Sequence, residues 1–560
     1  MRAPRFLPAG DAALLVELNS LGDVLALFQV AGAALLPGVT DLVPAARTLL
    51  VQFQPVQVAS QAVVRWLQQC LTRASGAVDP SNGGERQVDI PVRYIGEDLD
   101  EVAERLGLDR TEVIERHTGS DFQAAFAGFA PGFVYLTGGD PCFLGLPRRA
   151  SPRTRVPAGS VAAAGEFSAV YPSDSPGGWQ LLGVTSARMW DLSRAAPALV
   201  QPGYRVRFRD LDKPSVCISL PEETALSSGQ SAAAPVAAER AAPDEDPSVV
   251  KLEVRRAGVQ TLFQDLGRPG LTGMGVACSG ALDRTAARQA NQLVGNKAGA
   301  VVLEHALGGL ELVCHGQAVL AITGGQAPVV LTTASGVRLP AAAQRALTVT
   351  DGQILRIGQV RAGVRCYVAV RGGWAAAPVL GSCATDVLAG IGPAPIRAGD
   401  ILAVGQGTEL ASPALDAAGA APDASGGRDF AGRWDRADSL PQAGDEVTLD
   451  VVLGPRQDWF EPSALDLLLS QEWLVTPQSN RVGMRLSGAG ALTRRKTQEL
   501  PSEGTVIGAI QVPASGQPVL FLADHPLTGG YPVIAVVCSR HLDRLAQIPV
   551  GARLRFRPDK

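Results

Sequence analysis

The sequence predicts a mainly β protein with α+β parts. Three observations carry that expectation. Short apolar runs of strand composition recur along most of the chain, punctuated by 62 glycines and 40 prolines in 560 residues, the residues that end strands and shape turns. Strand-like and helix-like runs alternate clearly only near the N-terminus. A Gly/Pro-rich segment, "GSVAAAGEFSAVYPSDSPGGWQLLG" at 159 to 183, returns near the end as "IQVPASGQPVLFLADHPLTGGYPVIA". At roughly 150 residues per domain, the length implies several domains.

Residues 1 to 85 alternate "ALLVEL" and "TLLVQF" with the helical patterns "DVLALFQVAGAALL" and "SQAVVRWLQQCLTRA", the mixed order of a small α+β domain with a split β-α-β arrangement. Residues 86 to 220 open with "QVDIPVRY", carry helices at "DLDEVAERLG" and "DRTEVIERHTG", and continue as short strands. That pattern favours a closed or nearly closed barrel over a parallel sheet. Residues 221 to 249, "PEETALSSGQSAAAPVAAERAAPDEDPSV", have no sustained apolar face and read as a flexible linker. A β-rich part at 250 to 410 contains "LEVRRAG", "AVLAITGG", "CYVAVRGG" and one helix, "DRTAARQANQLVG". A low-complexity insertion or linker follows at 411 to 446. The second β-rich part, 447 to 560, holds the helix "PSALDLLLSQE" and the strand "PVLFLA". Val156-Pro157-Ala158 precedes Gly177-Gly178-Trp179, and Val512-Pro513-Ala514 precedes Gly529-Gly530-Tyr531. The recurrence is that of a duplicated β unit or of common hairpin-turn chemistry.

A net charge of −4, from 50 basic and 54 acidic side chains with no long single-sign block, argues against nucleic acid as a partner, and 5% aromatic residues leave few stacking platforms. Asp11 and Glu17 interrupt the first apolar stretch before a signal-peptide core could form. No apolar run is long enough for a bilayer, so a cytoplasmic protein without membrane contact is expected. The eight cysteines form no CxxC pair, and the five histidines, at 117, 305, 315, 525 and 541, lack zinc-ligand spacing. Reduced thiols and no protein-held metal are expected. Phosphate-loop, nucleophile-elbow and Met-Lys-Met biotin-attachment motifs are absent from the text.

Arg148, Arg149, Arg153 and Arg155 lie beside Gly/Pro turns and Ser160, a set suited either to an anion site or to a solvated basic loop. Asp265, Arg268, Ser279, Asp283 and Asn291 fall in one loop-then-helix unit, where Ser279 or Asp283 can simply cap the helix. His305, beside Glu304, reads as structural. Arg481, Arg485, Lys496, Glu499, Glu503, Gln511, Asp524, His525 and Thr528 cluster near turns and supply an acid or base, carbonyl donors and amide acceptors.

"GFAPGFVYL", "LPRRASPRTRVPAGSVAAAG" and "YPSDSPGGWQLLG" closely resemble the allophanate hydrolase subunit 1 family, which includes the Kip-type kinase inhibitor and the B component of bacterial 5-oxoprolinase. "TLFQDLGRPG", "SGALDRTAARQANQLVGN", "ELPSEGTVIGAIQVP" and "DHPLTGGYPVIA" resemble allophanate hydrolase subunit 2, the Kip antagonist and the C component of 5-oxoprolinase. The chain looks like a fusion of the two. The resemblance implies cyclophilin-like β-barrel domains in both halves, whose mouths the Gly/Pro turns would shape, and a small N-terminal ferredoxin-like domain. It also implies ATP, with Mg2+, and no biotin on this chain. The partner it implies is a separate LamB/YcsF-type protein, the A component of 5-oxoprolinase, and the chain itself could form a homo-oligomer. The activity would be the opening of the small amide 5-oxoproline to glutamate. Alternatives are a urea-carboxylase-like carboxyltransferase component acting on another small amide, or a Kip-type regulator binding a histidine kinase. Carried over by motif, Asp524, Glu503 and Asp265 are the candidate catalytic residues. Arg153, Arg155, Ser160, Gly177, Gly178, Arg268, Asp283, Asn291, Gln511 and Gly530 are the candidates for binding substrate or phosphate. The chain departs from the family pattern in places: Val533 stands where a lysine is usual, Cys383 and Asp386 where an arginine and a tyrosine are common, and "ADHPLTGG" differs from the usual glutamine- and threonine-bearing run.

Overall fold

The computed structural model describes residues 3–74, 86–149, 151, 153–213, 249–405 and 440–559. The segments read as linkers, 221 to 249 and 411 to 446, lie almost wholly outside them.

The N-terminal domain is a four-stranded antiparallel sheet with helices Leu21–Ala33 and Ser60–Ala74 on one face. Ser20 and Asp23 close a capping box at the first helix, each side chain bonding the other's backbone N–H. Strands Ala13–Glu17 and Val39–Pro44, joined by that helix, run parallel with Thr48–Phe53 between them, which is the expected split β-α-β unit. The ferredoxin-like expectation needs one correction. The strand beside Ala13–Glu17 is Arg5–Pro8, from the start of the chain, and not a strand following the second helix, so the order is circularly permuted.

Side chains alternate across a strand. Leu14, Val16, Leu49 and Val51 therefore face the helices, while Ala13, Leu15 and Leu50 face the other way. That second face packs on Val519, Phe521, Val533 and Val536, far along the chain. Burial on both faces explains why "ALLV" and "TLLV" are unbroken apolar runs.

Two seven-stranded barrels share one topology. In the first, Gln87–Val92 pairs parallel with Arg205–Asp210, and a bridge from Arg93 to Val184 joins the two ends of the sheet. In the closed second barrel, Glu446–Leu453 pairs parallel with Arg553–Pro558. The strands between follow the same order, and a two-stranded ribbon accompanies each barrel: Arg153–Val156 with Ser175–Gly177, and Glu503–Gly504 with Thr528–Gly529.

The duplication is thus structural, but its register differs from the "VPA" match. Gly159 donates to Tyr171 O and accepts from Thr185 N, just as Gly508 donates to Phe521 O and accepts from Val537 N. Both are left-handed, with φ of 81° and 84°. Their equivalence places Val156-Pro157-Ala158 opposite Thr505-Val506-Ile507, whereas Val512-Pro513-Ala514 follows the next strand, Ala509–Gln511. The Gly-Gly match holds, because Gly177 pairs with Arg153 as Gly529 pairs with Glu503.

Between the barrels in sequence, residues 249–405 form a sandwich of a six-stranded and a five-stranded antiparallel sheet. Leu252, Leu312 and Leu355 of one sheet meet Leu303, Leu320 and Val368 of the other. Helix Arg284–Leu293 covers the outer face of the five-stranded sheet through Ala286, Ala287 and Ala290, small residues that permit close approach. The cysteines among the described residues are free thiols, and no described helix is long and apolar enough to cross a membrane.

Candidate active site at the seam between the halves

The motifs quoted from the two halves converge. Gly132 N donates to Met274 O at 3.3 Å, and Tyr135 Oη lies 3.0 Å from Ser502 Oγ and 3.4 Å from Thr528 Oγ1. A Cβ on Gly128 would fall 2.6 Å from Thr528, and one on Gly275 (φ +78°) 2.6 Å from Ala130 O, so glycine is required where the halves meet. Thr272 Oγ1 lies 3.0 Å from Asp41 Oδ1 and 2.9 Å from Leu42 O, its single proton shared between the two acceptors, drawing in the N-terminal domain.

A cavity of about 410 Å³ opens at this seam, between the N-terminal sheet, the short helix Gln457–Trp459 and the segment running to Glu503. One wall is an ion-pair chain, buried at Arg456 and Glu503 and reaching solvent at Arg5. Arg456 Nε lies 2.9 and 3.0 Å from the two Glu503 oxygens, Arg456 Nη1 donates to Glu17 Oε1 at 2.7 Å, and Arg5 Nη1 donates to Glu17 Oε2 at 2.7 Å. On the opposite wall Lys496 Nζ donates to Asp458 Oδ2 at 2.5 Å and sits 5.5 Å from the centre of the Trp459 ring. Burial raises the pKa of Glu503, against the pull of Arg456, and the charges of Glu17 and Asp458 add to the rise. Burial works the same way on Glu17, but Arg456 and Arg5 outweigh it and hold that carboxyl below its usual range. The cavity therefore presents a buried carboxyl whose pKa lies above its ordinary value beside one held below it.

Asp524 is fully buried in a second network between the sandwich and the second barrel. Its Oδ1 accepts from Ser279 Oγ at 2.6 Å and Arg481 Nη2 at 2.9 Å; its Oδ2 accepts from Arg481 Nε at 2.9 Å and Val387 N at 3.0 Å. Arg481 also pairs with Glu304, which accepts from Tyr367 Oη at 2.9 Å. Arg268 lies nearby, 2% exposed, donating through Nη2 to Ala384 O while Nε and Nη1 find no partner among the described residues. Burial lowers its pKa, against the carboxylates of Asp386, Asp265 and Asp524. Asp386 accepts from Leu388 N and Ala389 N, and burial, with the charge of Asp524 next, pushes its pKa up to about 7.

The remaining candidates disperse. Asp265 organises a loop, accepting from Gly267 N, Ser382 Oγ and Cys383 N. Arg153 joins Arg149 on buried Asp98, and Arg155 pairs with Asp174 on the surface. Ser160 Oγ donates to Pro157 O. Gly177 and Gly178 belong to the first barrel's ribbon and its following turn. Asp283 caps helix Arg284–Leu293 and accepts from Gln547, and Asn291 donates to Ala300 O. Gln511 donates to Tyr531 O, and Gly530 lies against Arg148. His305 is buried against Thr261 Oγ1, with burial lowering its pKa to about 4. Arg456, Glu17, Asp458 and Asp98 escaped sequence reasoning, although "ALLVEL" ends its apolar run on an acid and "GPRQDWF" gathers both charges beside an aromatic. Among the described residues no cluster suits a metal ion.

Comparison with known proteins places both halves. The family model for carboxyltransferase subdomains A and B matches residues 274–558, and that for subdomains C and D matches residues 4–200. The chain belongs to the carboxyltransferase domain family. This carboxyltransferase-family chain is 35% identical over 311 residues to the C component of Escherichia coli (strain K12) 5-oxoprolinase, covering 54% of the chain and 90% of that relative. It is 36% identical over 219 residues to the B component of Escherichia coli O157:H7 5-oxoprolinase, covering 37% of the chain and 96% of that relative. Similarity to Lachancea kluyveri urea amidolyase, 32% over 325 residues, spans 55% of the chain but 17% of that protein. The crystal structure of TTHA0988 matches 98% of the chain and 100% of its own length, with TM-score 0.75 and 33% identity. The chain is thus a fusion of two halves, one like the B component of 5-oxoprolinase and one like the C component.

Proposed function

We propose that this chain is a component of an ATP-dependent 5-oxoprolinase that opens 5-oxoproline to glutamate together with a separate LamB/YcsF-type A component. The observation that supports it most is the pairing, on one chain, of near-complete counterparts of the B and C components.

An unstrained amide is a poor electrophile with a poor leaving group, so its opening needs activation. Transfer of the ATP γ-phosphoryl group to the amide oxygen makes the ring carbon attackable by water. The C–N bond then breaks as a proton passes to the ring nitrogen, and a second water releases phosphate, leaving glutamate and ADP. Glu503, raised by burial, is the proton donor. Arg456 fixes its orientation, while Arg5, Arg47 and Lys496 line the cavity with positive charge for the substrate carboxylate or phosphate. Those pairings exchange partners on binding, because Arg5 and Lys496 already hold Glu17 and Asp458.

The test is to purify the chain with its own candidate A component and measure ADP and glutamate with and without 5-oxoproline. Coupled release of both is expected. Release of neither by the assembled complex overturns the reading. The similarity to urea amidolyase favours carboxyl transfer as the second reading, which needs a biotinyl carrier supplied by another protein. Carboxybiotin consumption with a small amide would identify it.

A further inference from the structure

A second cavity, of about 220 Å³, enters the first barrel, and none of its lining residues lines the first cavity. Phe122, Phe143 and Phe167 give it aromatic walls. At its floor runs a hydrogen-bond chain: Tyr94 Oη donates to His117 Nδ1 at 2.7 Å, His117 Nε2 to Ser168 Oγ at 3.1 Å, and Ser168 Oγ to Ala162 O at 3.0 Å. Only that direction satisfies all four groups, since the serine proton is committed to a carbonyl. His117 is stacked 4.5 Å from the Phe208 ring, and burial holds its pKa down to about 3, so it is neutral. Ser168 Oγ, which lines the cavity, retains one unused lone pair.

The duplicated barrel provides an internal control. Phe122 pairs with Val206 as Trp473 pairs with Leu554, so the two aromatics occupy equivalent places. Trp473 is fully buried, its indole N–H donating to Leu468 O at 3.0 Å. The smaller Phe122 borders open space instead. Three polar groups at that space can accept: Ser168 Oγ, the Asp140 carboxylate, and the Glu166 carboxylate, which is exposed at the rim without an ion-pair partner among the described residues; the Thr137 hydroxyl can donate or accept. The nearest cation, Arg116, is held by Glu112 at 2.7 Å and Asp140 at 3.5 Å.

We propose that this cavity binds a small organic ammonium ion with a compact apolar or aromatic body. Aromatic walls favour a cation, the acceptors match its N–H donors, and the carboxylates of Asp140 and Glu166 repel an anion. The site is separate from the activity proposed above and does not depend on it.

Titration calorimetry of the full chain with benzylammonium, benzyl alcohol and benzoate tests this. Benzylammonium is expected to bind roughly tenfold more tightly than benzyl alcohol, with benzoate weakest. Glu166→Gln, at an exposed position that folding does not need, is expected to weaken benzylammonium about two- to fivefold and leave benzyl alcohol unchanged. Phe122→Trp is expected to abolish binding of both by filling the space, as Trp473 does in the other barrel. Absence of saturable benzylammonium binding, equal affinity for all three probes, or indifference to Glu166→Gln would overturn the proposal.

Discussion

Arg456 holds Glu503 through Nε and Glu17 through Nη1, so one guanidinium ties an N-terminal strand to a barrel more than 400 residues later in the sequence. It is 4% exposed. Arg456→Met leaves Glu503 buried without a counter-charge, which costs about 3–5 kcal/mol when one partner of a buried pair is removed. Urea denaturation should show that loss, and a change below about 1 kcal/mol would refute it.

Glu503→Gln keeps the shape of the side chain but not its proton chemistry, and its amide offers Arg456 one acceptor oxygen where the carboxyl group offers two. In the proposed complex with an A component, turnover should fall by about 10²-fold or more, as expected on losing a general acid, together with some loss of thermal stability, because buried Arg456 keeps only Glu17 as a charged partner. Retained turnover would exclude Glu503 from proton transfer.

The halves should remain together when the covalent link is cut. Residues 1–213 and 249–560, co-expressed as separate chains, are expected to co-elute as one species, because Leu15 and Leu50 pack on Phe521 and Val536 without needing the connecting segment. Gly128→Ala, whose new Cβ would meet Thr528, should weaken that association without unfolding either chain. Separate elution of the unaltered chains would contradict the seam.

The contribution of Asp386 to stability should fall as pH rises from about 4 toward 7, opposite in sign to that of the buried His117 and His305. Burial lifts Asp386 from its ordinary 3.8 to about 7, so over that interval the folded state binds the proton and the unfolded state does not. The stabilising contribution is complete below the unfolded pKa and is lost as pH climbs through the folded one. Asp386→Asn should remove that contribution, making the slope of stability against pH more positive by up to about 1.4 kcal/mol per pH unit. An unchanged slope across denaturation curves at pH 4, 5.5 and 7 would sink the prediction.

Much of the fold was legible because its signals are local. The helices starting at Leu21, Ser60, Leu99, Arg110, Arg284 and Pro462 all stand where apolar spacing or end residues announce them. The Gly-Gly turns marked the repeated barrel, yet the "VPA" match misled, since Pro157 and Pro513 sit on different sides of a strand. What equates the barrels is the backbone pairing of Gly159 and Gly508, which no string comparison contains. Within the site, Glu503 could be named from its motif. Its partners Glu17 and Arg456 could not, because their meeting depends on how the N-terminal sheet docks, and local sequence carries no record of that docking.

The N-terminal sheet's second face has a temporal consequence. A ribosome completes Leu15 and Leu50 long before it reaches Phe521 and Val536. At roughly 5–20 residues per second, that interval lasts about 25–100 s. Throughout it, the newborn domain carries an uncovered apolar face and must rely on chaperones or rapid partner strands to avoid association with its neighbours.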